Sequence, residues 1–204
     1  MQWQEHWDKV YHAKREDEVS WFESLPATSL RMLEAAGLTV DTCVIDIGGG
    51  DSRLVDHLAA RGLDCLAVLD VSGAALQRAR SRLGTSASIP IWIEADVAGA
   101  WSFQPMDIWH DRAVFHFLID PDARSRYRSH LLRVLKPGGA AIVATFALGG
   151  PTTCSGLHVQ RYAPETLASE MGPALDLVET VEYVHATPWG SRQPFLYCRF
   201  RKVG

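Results

Sequence analysis

Cysteine is scarce in this chain: its 204 residues hold four, Cys43, Cys65, Cys154 and Cys198, with no C-x-x-C pair and no histidine beside any of them at ligand spacing. That scatter excludes a zinc-clip reading, so no metal site is expected. It also argues against a disulfide framework, and buried free thiols are the expected state of the cysteines in apolar runs. No apolar run approaches the roughly 18 residues that a membrane-spanning helix needs. The opening MQWQEHWDKVYHAKREDE mixes both signs of charge without an apolar core, unlike a secretory signal, and a cytoplasmic protein is expected. Positive charge is not in excess: 20 Lys and Arg stand against 24 Asp and Glu, a formal net charge of -4. Without a general positive field, nucleic acid and membrane are poor candidate partners. Repeats and low-complexity linkers are missing too, which leaves 1–204 as a single domain.

What is present alternates. Trp3, Trp7, Val10 and Tyr11 recur at spacings of three and four and predict a first helix with one aromatic face. A second helix should run from near Pro26 to Gly37, so 1–40 reads as a helical lid. From Cys43, short apolar runs take turns with helical stretches. CVIDI, CLAVLDV, IPIWIEADV, MDIWHDRAV and AAIVATFAL read as strands; SRLVDHLAARG, SGAALQRARSRLG and PDARSRYRSHLLRVLKPGG read as helices. Nearly uniform apolarity in the strands fits a parallel sheet covered on both faces. The expected fold is therefore α/β: a doubly wound, Rossmann-like, mostly parallel sheet with helices on both faces, its ligand-binding core at 41–148. After Leu148 the alternation stops. Residues 149–204 should supply a loop, a helix near Pro164 to Met171, and two strands, LDLVETVEYVHA and PFLYCRFRK, paired antiparallel at the sheet edge.

The chemistry concentrates at strand ends. VIDIGGGDSRL ends a buried strand in Gly48, Gly49 and Gly50, a turn whose backbone can approach a ligand closely. A dinucleotide site would read G-x-G-x-x-G, but Arg53 stands at the third glycine and Asp51 where a phosphate would be repelled, which counts against a nicotinamide-dependent oxidoreductase. Asp46 and Asp51 suit instead a ligand bearing an ammonium group and a sulfonium cation. Asp70, followed by Val71 and 24 residues beyond Asp46, can accept both hydroxyls of a ribose. Asp96 can accept from an adenine amino group, and Val97 offers its N–H. Together these features point to S-adenosylmethionine (SAM) as cofactor, with S-adenosylhomocysteine as its product.

At these residues the chain resembles the class I SAM-dependent methyltransferase superfamily. VIDIGGG is similar to its glycine motif, LDVSGAAL to its ribose acid, EADV to its adenine acid, and LLRVLKPGGAAIVAT to its late helix and fifth strand. The resemblance implies a seven-stranded sheet with the last strand inserted antiparallel. WHDRAVFHFLIDPDARSRYRSHL is similar to a run in thiopurine-type and related thiol S-methyltransferases, whereas HWDKVYHAKREDEVSWF resembles the opening of elongation-factor lysine methyltransferases. The N-P-P-Y or D-P-P-Y run of many N-methyltransferases is missing. A small-molecule acceptor with a thiol or other soft nucleophile is the leading expectation. The alternatives are protein lysine N-methylation and a SAM-binding sensor without turnover.

Each remaining candidate has a plainer reading beside the functional one. Asp111 and Arg112 can floor the methionine part of the cofactor or be a surface pair at a strand end. His116 is a candidate general base or a core histidine, and His110 reads as structural. Trp21 can close over SAM with Phe22, while Trp7 and Tyr11 read as packing. The loop CSGLHVQRY should border the acceptor pocket with Cys154, His158, Arg161 and Tyr162, the last a candidate catalytic group, or fold back on itself. Trp189 and Arg192 belong to a rim or to a plain hairpin turn. Oligomeric state is not legible.

Overall fold

The computed structural model describes residues 2–204. Helix α1 (Gln2–Ala13) is followed by a short 3-10 turn and by α2 (Ala27–Ala35), which starts at Pro26 and stops before Gly37, where φ is +90°. Strand β1 (Val44–Ile47) leads to α3 (Leu54–Ala60), and β2 (Leu66–Asp70) to α4 (Gly73–Leu83). Ser72 caps α4, its Oγ accepting from the Ala75 N–H at 3.1 Å. Strand β3 (Ile91–Glu94) stops before Ala95, so Asp96 and Val97 lie in the loop beyond it. Strand β4 (Met106–Arg112), α5 (Pro121–Val134) and β5 (Leu135–Phe146) complete the alternating part. The glycine-rich segment after it holds a hairpin the sequence pattern does not announce, β6 (Thr153–Cys154) with β7 (Leu157–His158). Helix α6 (Pro164–Met171) and strands β8 (Leu175–Ala186) and β9 (Arg192–Lys202) close the fold.

The sheet has seven strands in the order β3-β2-β1-β4-β5-β9-β8. β1 to β5 run parallel; β9 lies antiparallel between β5 and β8. The expected α/β sheet, its antiparallel closing pair and its inserted last strand are all present. One face buries α2, α3 and Leu76 of α4, the other buries Tyr127 and Leu131 of α5 and Leu167 of α6. Strand order reverses between β1 and β4, and a doubly wound sheet binds ligands outside the carboxyl ends of its strands at that reversal.

The cysteine expectation is half corrected. Cys154 and Cys198 are buried thiols, but Cys43 and Cys65 form a disulfide with Cα atoms 4.6 Å apart. They precede β1 and β2, whose register sets Val44 opposite Leu66, so the parallel pairing brings together residues 22 apart in sequence. No helix among the described residues is long and apolar enough to cross a membrane.

Candidate functional site

The glycine turn sits at the strand-order reversal, and its three residues are glycine for different reasons. Gly48 has φ +64°, and a Cβ there would stand 2.0 Å from Cγ2 of Val114. A Cβ on Gly49 would meet the Asp46 carboxylate at 2.6 Å; one on Gly50 would meet Asp70 at 2.6 Å. The turn is thus bare so that it can seat on its own acids. The expectation that its backbone N–H groups face a ligand is corrected at two positions: Gly48 and Gly49 donate to the Leu69 carbonyl at 2.6 and 3.3 Å. Asp51 is corrected as well, because Arg82 and Arg78 pair with its carboxylate and leave it little charge to offer.

The two strand-end acids differ. Asp70 is buried at the end of β2, and its Oδ1 accepts from the Ser72 N–H at 2.8 Å. Burial, with the charges of Asp46 and Asp8 beside it, pushes its carboxyl up to about 7. Asp96 is exposed and accepts from the Ala98 N–H at 2.8 Å. Asp70, Val71, Asp96 and Val97 border one cleft, which encloses about 900 Å³ including its open mouth.

Strand β4 presents three consecutive polar side chains, and the two-residue period of a strand separates them. His110 and Arg112 face the side of α2. His110 Nδ1 lies 2.7 Å from Oδ1 of Asp46 and Nε2 lies 2.9 Å from Oγ of Ser29. Arg112 reaches the cleft, donating to the Tyr197 hydroxyl and the Trp21 carbonyl at 3.0 Å each, with its guanidinium 4.9 Å from the Phe195 ring centre. Asp111 points the other way, fully buried. It accepts from the Tyr127 hydroxyl at 2.7 Å and from the N–H groups of Val114 and Phe115 at 2.9 and 3.1 Å. Burial raises its carboxyl to about 7 against those bonds. Asp111 is therefore no floor for a ligand and no base: it holds the turn after β4.

Two further catalytic candidates fall outside the cleft. His116 is fully buried, its Nδ1 accepts from the Phe146 N–H at 3.3 Å, and burial followed by the charge of Arg112 lowers it to about 3. Its ring is neutral and turned into the core. Tyr162 is 2% exposed beside Phe115, and burial raises its phenol, so no accessible hydroxyl faces the reaction space.

Helix α1 lies across the mouth. Trp3, Trp7 and Tyr11 line the cleft, and Trp7 meets Trp21 and Phe117 edge to face at 5.7 and 5.2 Å. Trp7 and Tyr11 pack as expected and also border the cleft. Tyr11, Trp21, Gly48 and Arg112 also border a second depression, where Asp46, Gly49 and Phe22 lie, so these four join the two spaces. Toward β5 and β9 the cleft is walled by Phe146, Phe195, Gln193, Ser20 and Cys154. Of the loop CSGLHVQRY only Cys154 reaches it; Arg161 folds back to the Leu148 carbonyl at 2.6 Å. Trp189 in the β8–β9 turn and Arg192 at the start of β9 are exposed, and Gln193 of β9 lines the cleft instead. Phe117, Phe146, Gln193 and Phe195 escaped the sequence reading because nothing distinguishes them there from core residues.

Comparison with known proteins agrees with this geometry. Residues 44–139 match the family described as "Methyltransferase domain". The chain is 26% identical to an EEF1A lysine methyltransferase 2 of Danio rerio over 158 residues, 69% of this chain and 67% of that protein. It is 34% identical to an uncharacterized methyltransferase of Mycobacterium bovis over 102 residues, 47% of this chain and 36% of that one. Among solved structures, one described under the conversion of a disulfide bond into a thioacetal group during echinomycin biosynthesis superposes with a TM-score of 0.78 at 20% identity, covering 98% of this chain and 93% of that one. The 1,6-didemethyltoxoflavin-N1-methyltransferase of Burkholderia thailandensis, with S-adenosylhomocysteine bound, superposes with a TM-score of 0.75 at 18% identity, covering 98% and 87%. The glycine turn at the sheet's reversal point lies inside the segment that matches the methyltransferase domain, and the chain is a SAM-dependent methyltransferase.

Proposed function

We propose that this enzyme methylates a small molecule at a thiol or another soft nucleophile. The donor would lie in the core at 41–148: Asp70 accepting the ribose hydroxyls, Asp96 and Val97 meeting the adenine, and Asp46 meeting the ammonium group, with Val71 and Gly48 as walls. When bound, SAM supplies a methyl group already activated by its sulfonium. The protein's part is then to hold the acceptor in line and keep water out. Helix α1 and the segment 149–204 would do this from either side of the acceptor, with Trp21 and Arg112 at the junction.

The observation that carries this reading is the wall toward β5 and β9. It is aromatic, and its polar groups are Arg112, Gln193, Ser20 and Cys154, with no carboxylate or imidazole among the described residues there. A lysine ammonium would need to lose its proton, and this wall offers no group to take it. A low-pKa thiol, such as an aromatic one, is largely ionised near neutral pH and needs little help from a base. The neighbour described under thioacetal formation supports a sulfur acceptor and the toxoflavin N1-methyltransferase a small molecule methylated at nitrogen; the zebrafish relative supports the alternative, a polypeptide lysine. Incubation with methyl-labelled SAM and a panel of aromatic thiols, selenols, amines and cell lysate separates the two. Label in thiols or other small molecules is expected, and label confined to polypeptide would overturn the proposal.

A further inference from the structure

One polar assembly behind the cleft is not explained by donor or acceptor binding. His185 on β8 is 1% exposed, and both of its ring nitrogens face acceptors: Nε2 is 2.6 Å from the Ser20 carbonyl oxygen and Nδ1 is 3.2 Å from Oε1 of Glu23. A carbonyl and a carboxylate only accept, so satisfying both contacts needs a proton on each nitrogen. Glu23 also meets Arg112 Nη2 at 3.3 Å, and Arg112 donates to the Trp21 carbonyl. Burial works against the Glu23 carboxylate, yet the His185 hydrogen bond and the Arg112 charge hold it below the usual range. The segment from Ser20 to Glu23 is therefore fastened from β8 by one cation and from β4 by another. Between the fastenings stands Trp21, a wall of both spaces. The other groups around His185 are Tyr183 on its own strand, with ring centres 6.5 Å apart, and Phe195 on β9 at 6.2 Å. Tyr197 of β9 bonds Arg112.

We propose that His185 is a positioning residue for Trp21: through both ring nitrogens it pins the Ser20–Glu23 segment, and so keeps the indole as a side wall where the two spaces join. Loss of either contact frees that segment. The proposal rests on the assignment of the cleft to SAM, but its first test does not. Nitrogen NMR of the full chain without ligand should show both ring nitrogens of His185 protonated at neutral pH; a neutral tautomer overturns the proposal. The second test compares the wild type with His185→Gln in affinity for S-adenosylhomocysteine by calorimetry and in tryptophan emission without ligand. The variant lacks one charge-assisted bond and should bind about tenfold more weakly, with its emission shifted as Trp21 moves. Full affinity, or an unchanged emission, overturns the role. Should His185→Gln not fold, the nitrogen spectrum of the wild type decides alone. Absence of any heat with the wild type would remove the donor assignment and this role with it, whatever the nitrogen spectrum shows.

Discussion

At the scale of single residues, the donor site is expected to announce itself through pH. Asp70 has its carboxyl raised from 3.8 to about 7. A carboxyl raised on folding takes up a proton in the native chain, so the stability it contributes falls as pH climbs between those two values. Asp111 carries the same slope, so a stability curve does not separate the two; ligand affinity does. Ribose hydroxyls gain most from an ionised acceptor, and affinity for S-adenosylhomocysteine should therefore rise as pH passes about 7. Asp70→Asn should remove the rise and weaken binding above it by about 1 to 3 kcal/mol. Unchanged affinity at alkaline pH would take Asp70 out of the site. The second test at this scale is Gly48→Ala. Its Cβ would collide with Cγ2 of Val114 while adopting φ +64°, a conformation that costs a non-glycine residue about 1 kcal/mol or more. Pairing it with Val114→Ala removes the collision and leaves only the backbone term. The double variant should therefore melt above the Gly48→Ala single variant, and additive losses would show that the contact is not what requires glycine.

At the scale of elements, the lid is a docked helix with identifiable fastenings. Asp8 accepts from the Ser72 hydroxyl at 2.6 Å and the Ala74 N–H at 3.3 Å, placing its charge at the start of α4, where the helix dipole favours an anion. Gln4 adds a bond to Glu94 at 2.7 Å, and Arg78 reaches the carbonyls of Tyr11 and Lys14. Asp8→Ala should loosen α1 by about 1 kcal/mol and speed tryptic cleavage after Lys14, with S-adenosylhomocysteine restoring protection. A digestion rate equal to the wild type's would mean that Asp8 does not hold the lid. What could be read in advance follows from what is local. Uniformly apolar runs between Gly and Pro stops located β1 to β5 and α3 to α6, and the Pro164–Met171 helix emerged with the same limits. Which face of β4 looks inward is not local. His110, Asp111 and Arg112 are equally polar in sequence, and only the pairing of His110 with Asp46 on the neighbouring strand sends Asp111 to the opposite side. The Cys43–Cys65 pairing was hidden for the same reason, while the hairpin at Thr153–His158 is local but its two-residue strands are too short to show a period.

At the scale of the whole molecule, the site is distributed: α1, the segment before α2, the ends of β1, β2 and β4, the loop after β3, and β9 each contribute one wall or two. No element carries the ligand alone. A ligand bound across all of them stabilises the folded chain by RT ln(1 + [L]/Kd), about 2.7 kcal/mol at a hundredfold excess over Kd. For a chain of this length that corresponds to a rise in melting temperature of roughly 5 to 10 °C. S-adenosylhomocysteine at that excess should give this shift, and NAD should give none. A diphosphate would have to approach the α3 turn, where Arg53 is already paired with Glu16 at 2.5 Å and Asp51 with Arg82, so the local positive charge is spent. Because the Trp7 and Trp21 rings meet across the cleft, the same titration should move tryptophan emission together with the melting temperature. A thermal shift without any change in emission would place the ligand away from the lid, and a shift with NAD of equal size would return the glycine turn to a dinucleotide.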